Sequence, residues 1–241
     1  MRLCNPSVLK LAPKHARRKE ARPGELLAAA LELFVEKGFA ATRVEEVAQR
    51  AGVSKGTLFL YFPSKEELFK AVVRENIAGR YPEWTAEFEA YAASTPELLR
   101  RVLHQWWERV GNTPVGGIAK LMMSEAANFP ELAVFYEREV MAPGRELIAR
   151  ILQRGVDRGE FAPLSAPEMA QTIHAMLAPM LYLVYWKHSF GALAIRQIQN
   201  IEPDIPDLDP LAYLEQQTHL LLHGLCVTPS SPSSSSRARN S

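Results

Sequence analysis

Between Thr42 and Phe62 the chain carries two short helical segments separated by Ala51-Gly52-Val53-Ser54. That unit limits the fold more than any other. Val44, Val47, Ala48 and Ala51 recur at helical spacing, and Gly52 supplies the positive φ that a tight turn needs. Thr42-x-x-Glu45 reads as a capping box before the first segment. Ser54 caps the second, Lys55–Phe62, and Pro63 ends it. Ser64-x-x-Glu67 is a second capping box. It opens a helix to Gly79 with Leu68, Phe69, Val72, Val73 and Ile77 apolar. Helices this short bury little alone, so they must pack on neighbours.

The rest of the chain reads as helix throughout. A first helix spans Pro23–Lys37, with Leu27, Ala30, Leu31 and Phe34 as its stripe and Gly38 as its C-cap. Later helices are expected near Pro82–Ala92, Pro96–Val110 with Thr95 as N-cap, Val115–Asn128, Pro130–Val140 and Gly144–Arg158. A long one covers Pro167–Ser189, where Pro179 should introduce a kink. After a proline-rich loop, Glu202–Pro210, Asp209 caps a last helix that Gly224 follows. No period-2 strand pattern or repeat competes, so the expected class is all-α. Four segments result: a flexible basic arm over 1–21, a helix-turn-helix domain over 22–79, a larger helical domain over 80–227, and a disordered tail over 228–241.

Composition narrows the function. The two cysteines, Cys4 and Cys226, form neither a disulfide framework nor a metal knuckle. The longest apolar run, Ala175–Trp186, is too short and proline-broken to cross a bilayer, so a cytoplasmic protein is expected without membrane contact. Residues 1–79 hold 14 Lys/Arg against 9 Asp/Glu, a net +5, whereas the remainder carries −4. A basic front and an acidic back direct the front towards a polyanion.

The two short helices suit double-stranded DNA. The first is long enough to cross a backbone, and the second is short enough to enter a major groove with its first turn. Leu58 and Phe62 should face inward, with Lys55, Thr57 and Phe59 outward. Arg43, Lys55 and Lys65 bring positive charge; Thr42, Ser54, Thr57 and Tyr61 bring hydroxyls; Gly56 admits close backbone approach. Thr42, Ser54 and Ser64 would cap helices with or without DNA.

The stretch Leu33-Phe34-x-x-x-Gly38-Phe39-x-x-Thr42-x-Val44-x-x-Val47-Ala48-x-x-Ala51-Gly52-Val53-Ser54-x-Gly56-Thr57-Leu58-Phe59-x-Tyr61-Phe62-x-Ser64-Lys65-Glu66-Glu67-Leu68 resembles the TetR family DNA-binding domain. The likeness covers residues 23–70. It implies phosphate contacts from Thr42 and Lys65, with Ser54, Lys55, Gly56 and Thr57 at base edges. Where the family often has tyrosine this chain has Phe59, so a hydroxyl-to-phosphate contact is lost and Tyr61 is its partial substitute. Ser124-Glu125-Ala126-x-x-Phe129-Pro130-Glu131-Leu132 resembles a multidrug-efflux-regulator subgroup.

The larger domain is expected to bind a small hydrophobic effector and to dimerise. Candidate pocket residues are Trp106, Trp107, Met122, Met123, Phe129, Phe135, Tyr136, Met180, Tyr182 and Tyr185. Each taken singly reads first as ordinary core; it is as a set that they suggest a pocket. The apolar surround of Ala175–Trp186 and the final-helix stripe Leu211, Leu214, Thr218, Leu221, Leu222, Leu225 suit a four-helix homodimer interface. His219 and His223 are spaced i, i+4, but no third metal ligand stands out, and neither metal nor cofactor is expected. No nucleophile elbow, phosphate loop or zinc-protease motif points to catalysis. The expected activity is a repressor that leaves a pseudo-palindromic operator when its effector binds. The alternatives are an activator, a regulator that responds to a protein partner, a helical dimer whose head has lost DNA, and an enzyme.

Overall fold

A computed structural model describes residues 14–189 and 208–226, with side chains from residue 23 onward. The tail, Cys4, the arm as far as residue 13 and the loop from Glu202 to Asp207 lie outside the described residues.

Four helices make the head: α1 (Lys14–Ala41), α2 (Val44–Arg50), α3 (Lys55–Tyr61) and α4 (Lys65–Asn76). α1 begins earlier than the expected Pro23, within the segment read as an arm. It breaks at Gly38, whose φ of 84° and ψ of 169° end the helix where glycine tolerates what a side chain resists. The buried face is Leu26, Ala30, Leu33 and Phe34; Leu27 and Leu31 are only half-buried. The expected stripe was therefore turned by one position.

Thr42 does not cap α2. The cap position is Arg43, without a side-chain bond. The Thr42 hydroxyl instead donates to the carbonyls of Gly38 (2.7 Å) and Leu33 (3.1 Å), closing the end of α1. The following turn matches expectation. Gly52 adopts φ 68°, and Val53 N–H donates back to Ala48 and Gly52 N–H to Gln49. Ser54 Oγ accepts from Thr57 N–H, and Ser64 Oγ accepts from Glu67 N–H.

A short 3₁₀ turn, Ala78–Arg80, leads into the larger domain. This contains α5 (Tyr81–Glu89), α6 (Thr95–Trp106), α7 (Gly116–Glu125), α8 (Pro130–Tyr136), α9 (Ala142–Asp157), α10 (Ala166–His188) and α11 (Pro210–Leu225). α6 and α8 each run on into a π turn, Trp107–Gly111 and Glu137–Met141. Ser94 caps α6 in place of the expected Thr95, which is buried; Asp209 caps α11 as expected. α10 continues helical through Pro179. The described residues contain helices and one isolated bridge, Phe161 with Cys226. Among them, no helix is long and apolar enough to cross a membrane.

The head is not a separate ball of side chains. Phe34, Phe39 and Phe69 pack with ring centroids 5.4–5.6 Å apart, and Phe129 meets Phe39 at 4.8 Å. The same core continues into Ile118 and Leu121 of α7 and Leu132 and Phe135 of α8. Each such side chain contributes roughly 1.5–3 kcal/mol by leaving water. A second core, built on Leu99, Ile151, Leu152, Phe161, Met176 and Leu222, joins α6, α9, α10 and α11.

Candidate nucleic-acid interface and effector cavity

α3 stands at the surface with Leu58 fully buried beneath it. Ser54, Lys55 and Gly56 are exposed and Thr57 is half-exposed. Phe59 is 38% exposed and Leu60, which the sequence reading passed over, is 85% exposed. Tyr61 and Phe62 are half-buried, so Phe62 anchors the helix less completely than expected. The exposed first turn of α3 is rigid: Ser54 Oγ accepts from Thr57 N–H at 3.1 Å and shares a hydrogen bond with Thr57 Oγ1 at 2.9 Å.

Charges around α3 are partly matched. Lys55 Nζ lies 2.5 Å from Glu45 and 5.7 Å from the Phe59 ring centroid. That hydrogen bond from Lys55 holds the Glu45 carboxyl below the usual carboxylate range. Arg43 is exposed at the start of α2. Gly56 has open space: an added Cβ would meet nothing nearer than Ser54 Oγ at 3.8 Å.

Two residues expected at phosphates are occupied otherwise. Thr42 is 1% exposed with its hydroxyl donated inward. Lys65 Nζ donates to the carbonyls of Phe39 (2.8 Å), Thr42 (3.1 Å) and Ala40 (3.2 Å), and sits 4.4 Å from the Phe39 ring centroid. An ammonium has three N–H donors, and all three are used. The opposite side of this turn is held by Glu125 at the end of α7. Its carboxylate accepts from Phe39 N–H at 2.9 Å and Ala40 N–H at 3.0 Å. Sequence reasoning missed this pairing, since Glu125 lies 85 and 86 residues from its partners. Arg74 of α4 makes a second tie between domains, bonding both Glu139 oxygens at 2.6 and 2.7 Å.

The larger domain holds a partly open cavity of about 110 Å³ lined from α5 to α10, with Ile77 at the end of α4 also on its wall. Trp106, Tyr136 and Met180 line it, as expected. The other candidates do not. Trp107 is packed in core with Leu103, Leu183 and Leu214. Met122, Phe129 and Phe135 belong to the core shared with the head. Met123 is 51% exposed, Tyr182 48% and Tyr185 40%, on outer helix faces. Tyr81, Trp84, Phe88, Gln105 and Leu177 complete much of the wall and were missed. Tyr81, Trp84 and Phe88, three and four residues apart on α5, were the signal that could have found part of it. Among the described residues no group of three His, Cys, Asp or Glu could hold a metal ion. The His219 and His223 rings meet at 4.2 Å.

Residues 26–72 match the model for bacterial regulatory proteins of the tetR family. Residues 92–192 match the tetracyclin repressor-like C-terminal domain. The chain is 29% identical over 148 residues to the uncharacterized HTH-type transcriptional regulator YfiR of Bacillus subtilis (strain 168), covering 61% of this chain and 71% of that protein. It is 27% identical over 154 residues to the HTH-type transcriptional repressor KstR2 of Mycolicibacterium smegmatis, covering 64% and 74%. A crystal structure of FadR from Bacillus subtilis in complex with stearoyl-CoA superposes with TM-score 0.62 at 20% identity, over 83% of this chain and 98% of that one.

An exposed helix-turn-helix head fused to a helical body defines a DNA-binding transcriptional regulator, not an enzyme. With both domain models matched in order, the chain belongs to the TetR family. These matches carry the family and not the efflux-regulator subgroup expected from Ser124–Leu132. In the structure Glu125 and Phe129 of that segment join the two domains.

Proposed function

We propose that this regulator is a cytoplasmic homodimeric repressor that releases a pseudo-palindromic DNA operator when a small hydrophobic molecule fills the α5–α10 cavity. Two copies would place their α3 helices in successive major grooves, about 34–36 Å apart. Ser54, Lys55, Gly56 and Thr57 would meet base edges, and Arg43 and Tyr61 phosphates. The exposed face of α10, with Tyr182 and Tyr185, and that of α11, with Leu220, suit the second copy.

One observation carries the coupling. α7 touches both sites. Ala119 in its second turn lines the cavity, and Glu125 at its end holds the Phe39–Ala40 backbone of the head. A molecule that shifts α7 therefore moves the head, and Ile77 at the end of α4 gives it a second contact there. Arg74 and Glu139 add a second link, from α4 to the segment after α8. A differential affinity of about 1–3 kcal/mol between the two head spacings changes operator occupancy about 5–150-fold.

The test begins with a duplex selected from a random library. Its affinity is then titrated with and without a molecule shown to occupy the cavity. Release supports the reading; unchanged affinity with the cavity demonstrably filled rejects it.

A further inference from the structure

We propose that the cavity selects an electrically neutral, mostly apolar molecule with one hydrogen-bond donor, anchored at Gln105, and discriminates against carboxylates of the same size. This rests on reading the cavity as the effector site.

The wall is apolar and aromatic, with Trp84, Phe88, Trp106, Leu177 and Met180. Among the described residues its one charged member is Arg109. That guanidinium is already matched: Arg109 Nη1 donates to both Glu87 oxygens, at 3.0 and 3.1 Å. Glu87 already pairs that charge at the exposed rim, so a ligand carboxylate would lose water against an apolar wall with no unmatched cation to compensate it. The two phenols add no charge. Burial pushes both Tyr81 and Tyr136 well above the usual phenol range, so each stays neutral. The Tyr81 hydroxyl is also spent, donating to Val140 O at 2.7 Å.

Gln105 remains. It lines the cavity, and its carboxamide oxygen is buried without a hydrogen-bond partner among the described residues. Buried acceptors are normally satisfied, so an unpaired one on a wall residue is a place for a ligand donor once the carboxamide turns towards the cavity. A hydroxyl or N–H on an otherwise apolar molecule supplies it and takes no charge out of water. A cavity of about 110 Å³ is on the scale that holds one ring or a short chain.

The probes are 1-octanol, octanoate and octanoyl-CoA, followed by the fluorescence of Trp84 and Trp106 in the full chain at pH 7.5. We expect 1-octanol to bind at least about tenfold more tightly than octanoate, the scale of one hydrogen bond. Gln105→Met keeps the side-chain length and removes the acceptor. It should weaken 1-octanol about tenfold, leave octanoate unchanged and leave the unfolding temperature no lower. Octanoate or octanoyl-CoA binding as tightly as 1-octanol, with release of the selected duplex, overturns this inference and leaves the effector reading standing. Equal 1-octanol affinity in the wild-type protein and Gln105→Met also overturns it. No fluorescence response to any of the three overturns both.

Discussion

Gly38 leaves the space that Glu125 fills: a Cβ built on Gly38 would overlap the Glu125 carboxylate oxygen Oε1. The glycine is needed twice, for its positive φ and for the room it leaves the carboxylate. Because Glu125 then reaches the N–H groups of Phe39 and Ala40, the break in α1 becomes the joint between head and body.

Gly38→Ala should therefore destabilise the protein by about 1–3 kcal/mol through backbone strain, with the clash in addition. In Gly38→Ala/Glu125→Ala the clash is gone and only the strain and lost bonds remain. Thermal unfolding of the four proteins of the cycle should show the double change costing less than the sum. Strict additivity would mean the two residues do not share this site.

Lys65 and Arg43 separate positioning from phosphate binding. Lys65 spends its donors on three carbonyls of its own chain, whereas Arg43 is exposed beside α2. Lys65→Met should lower both the unfolding temperature and operator affinity and leave the salt dependence of binding unchanged. Arg43→Ala should leave folding unchanged and reduce the log–log salt slope by about one. A reduced slope for Lys65→Met would return that residue to the phosphates.

Gly56 offers the opposite signature to Gly38. It lies in a helix with open space around it, so Gly56→Ala should hold or raise stability, by up to about 0.5–1 kcal/mol. The same change should weaken operator binding, since the added methyl sits on the face that meets base edges. Unchanged DNA affinity in gel shifts would place the groove contact elsewhere on α3.

The Arg74–Glu139 tie predicts a pH dependence. The hydrogen bond from Arg74 holds the Glu139 carboxyl below its usual range. Its contribution is thus present above the unfolded pKa, about 4.3, and lost as pH falls through the lower folded value. The difference in unfolding temperature between wild type and Glu139→Gln should be full near neutrality and disappear in acid. A difference that persists at low pH would show that charge is not its source.

Local signals were legible in the chain and distant ones were not. Gly52, the Ser54 cap and the Ser64 cap depend on neighbours within a few residues, and each appears where spacing placed it. Thr42 fitted a capping box equally well, but the carbonyls of Gly38 and Leu33 at the broken end of α1 won its hydroxyl. Lys65 looked like a free cation because its partners lie 23 to 26 residues earlier. The cavity wall draws on six helices, α5 to α10, so no single stripe reveals it. Tyr182 sits two residues from Met180 on α10 and faces outward, because alternate positions on a helix do not share a side.

The most direct test is the mass and salt dependence of the complex with a selected duplex. The account predicts two chains per duplex, a sequence with twofold symmetry, and affinity falling steeply as salt rises. A single chain per duplex, or binding indifferent to salt, would contradict the presentation of α3 by each half of a symmetric pair.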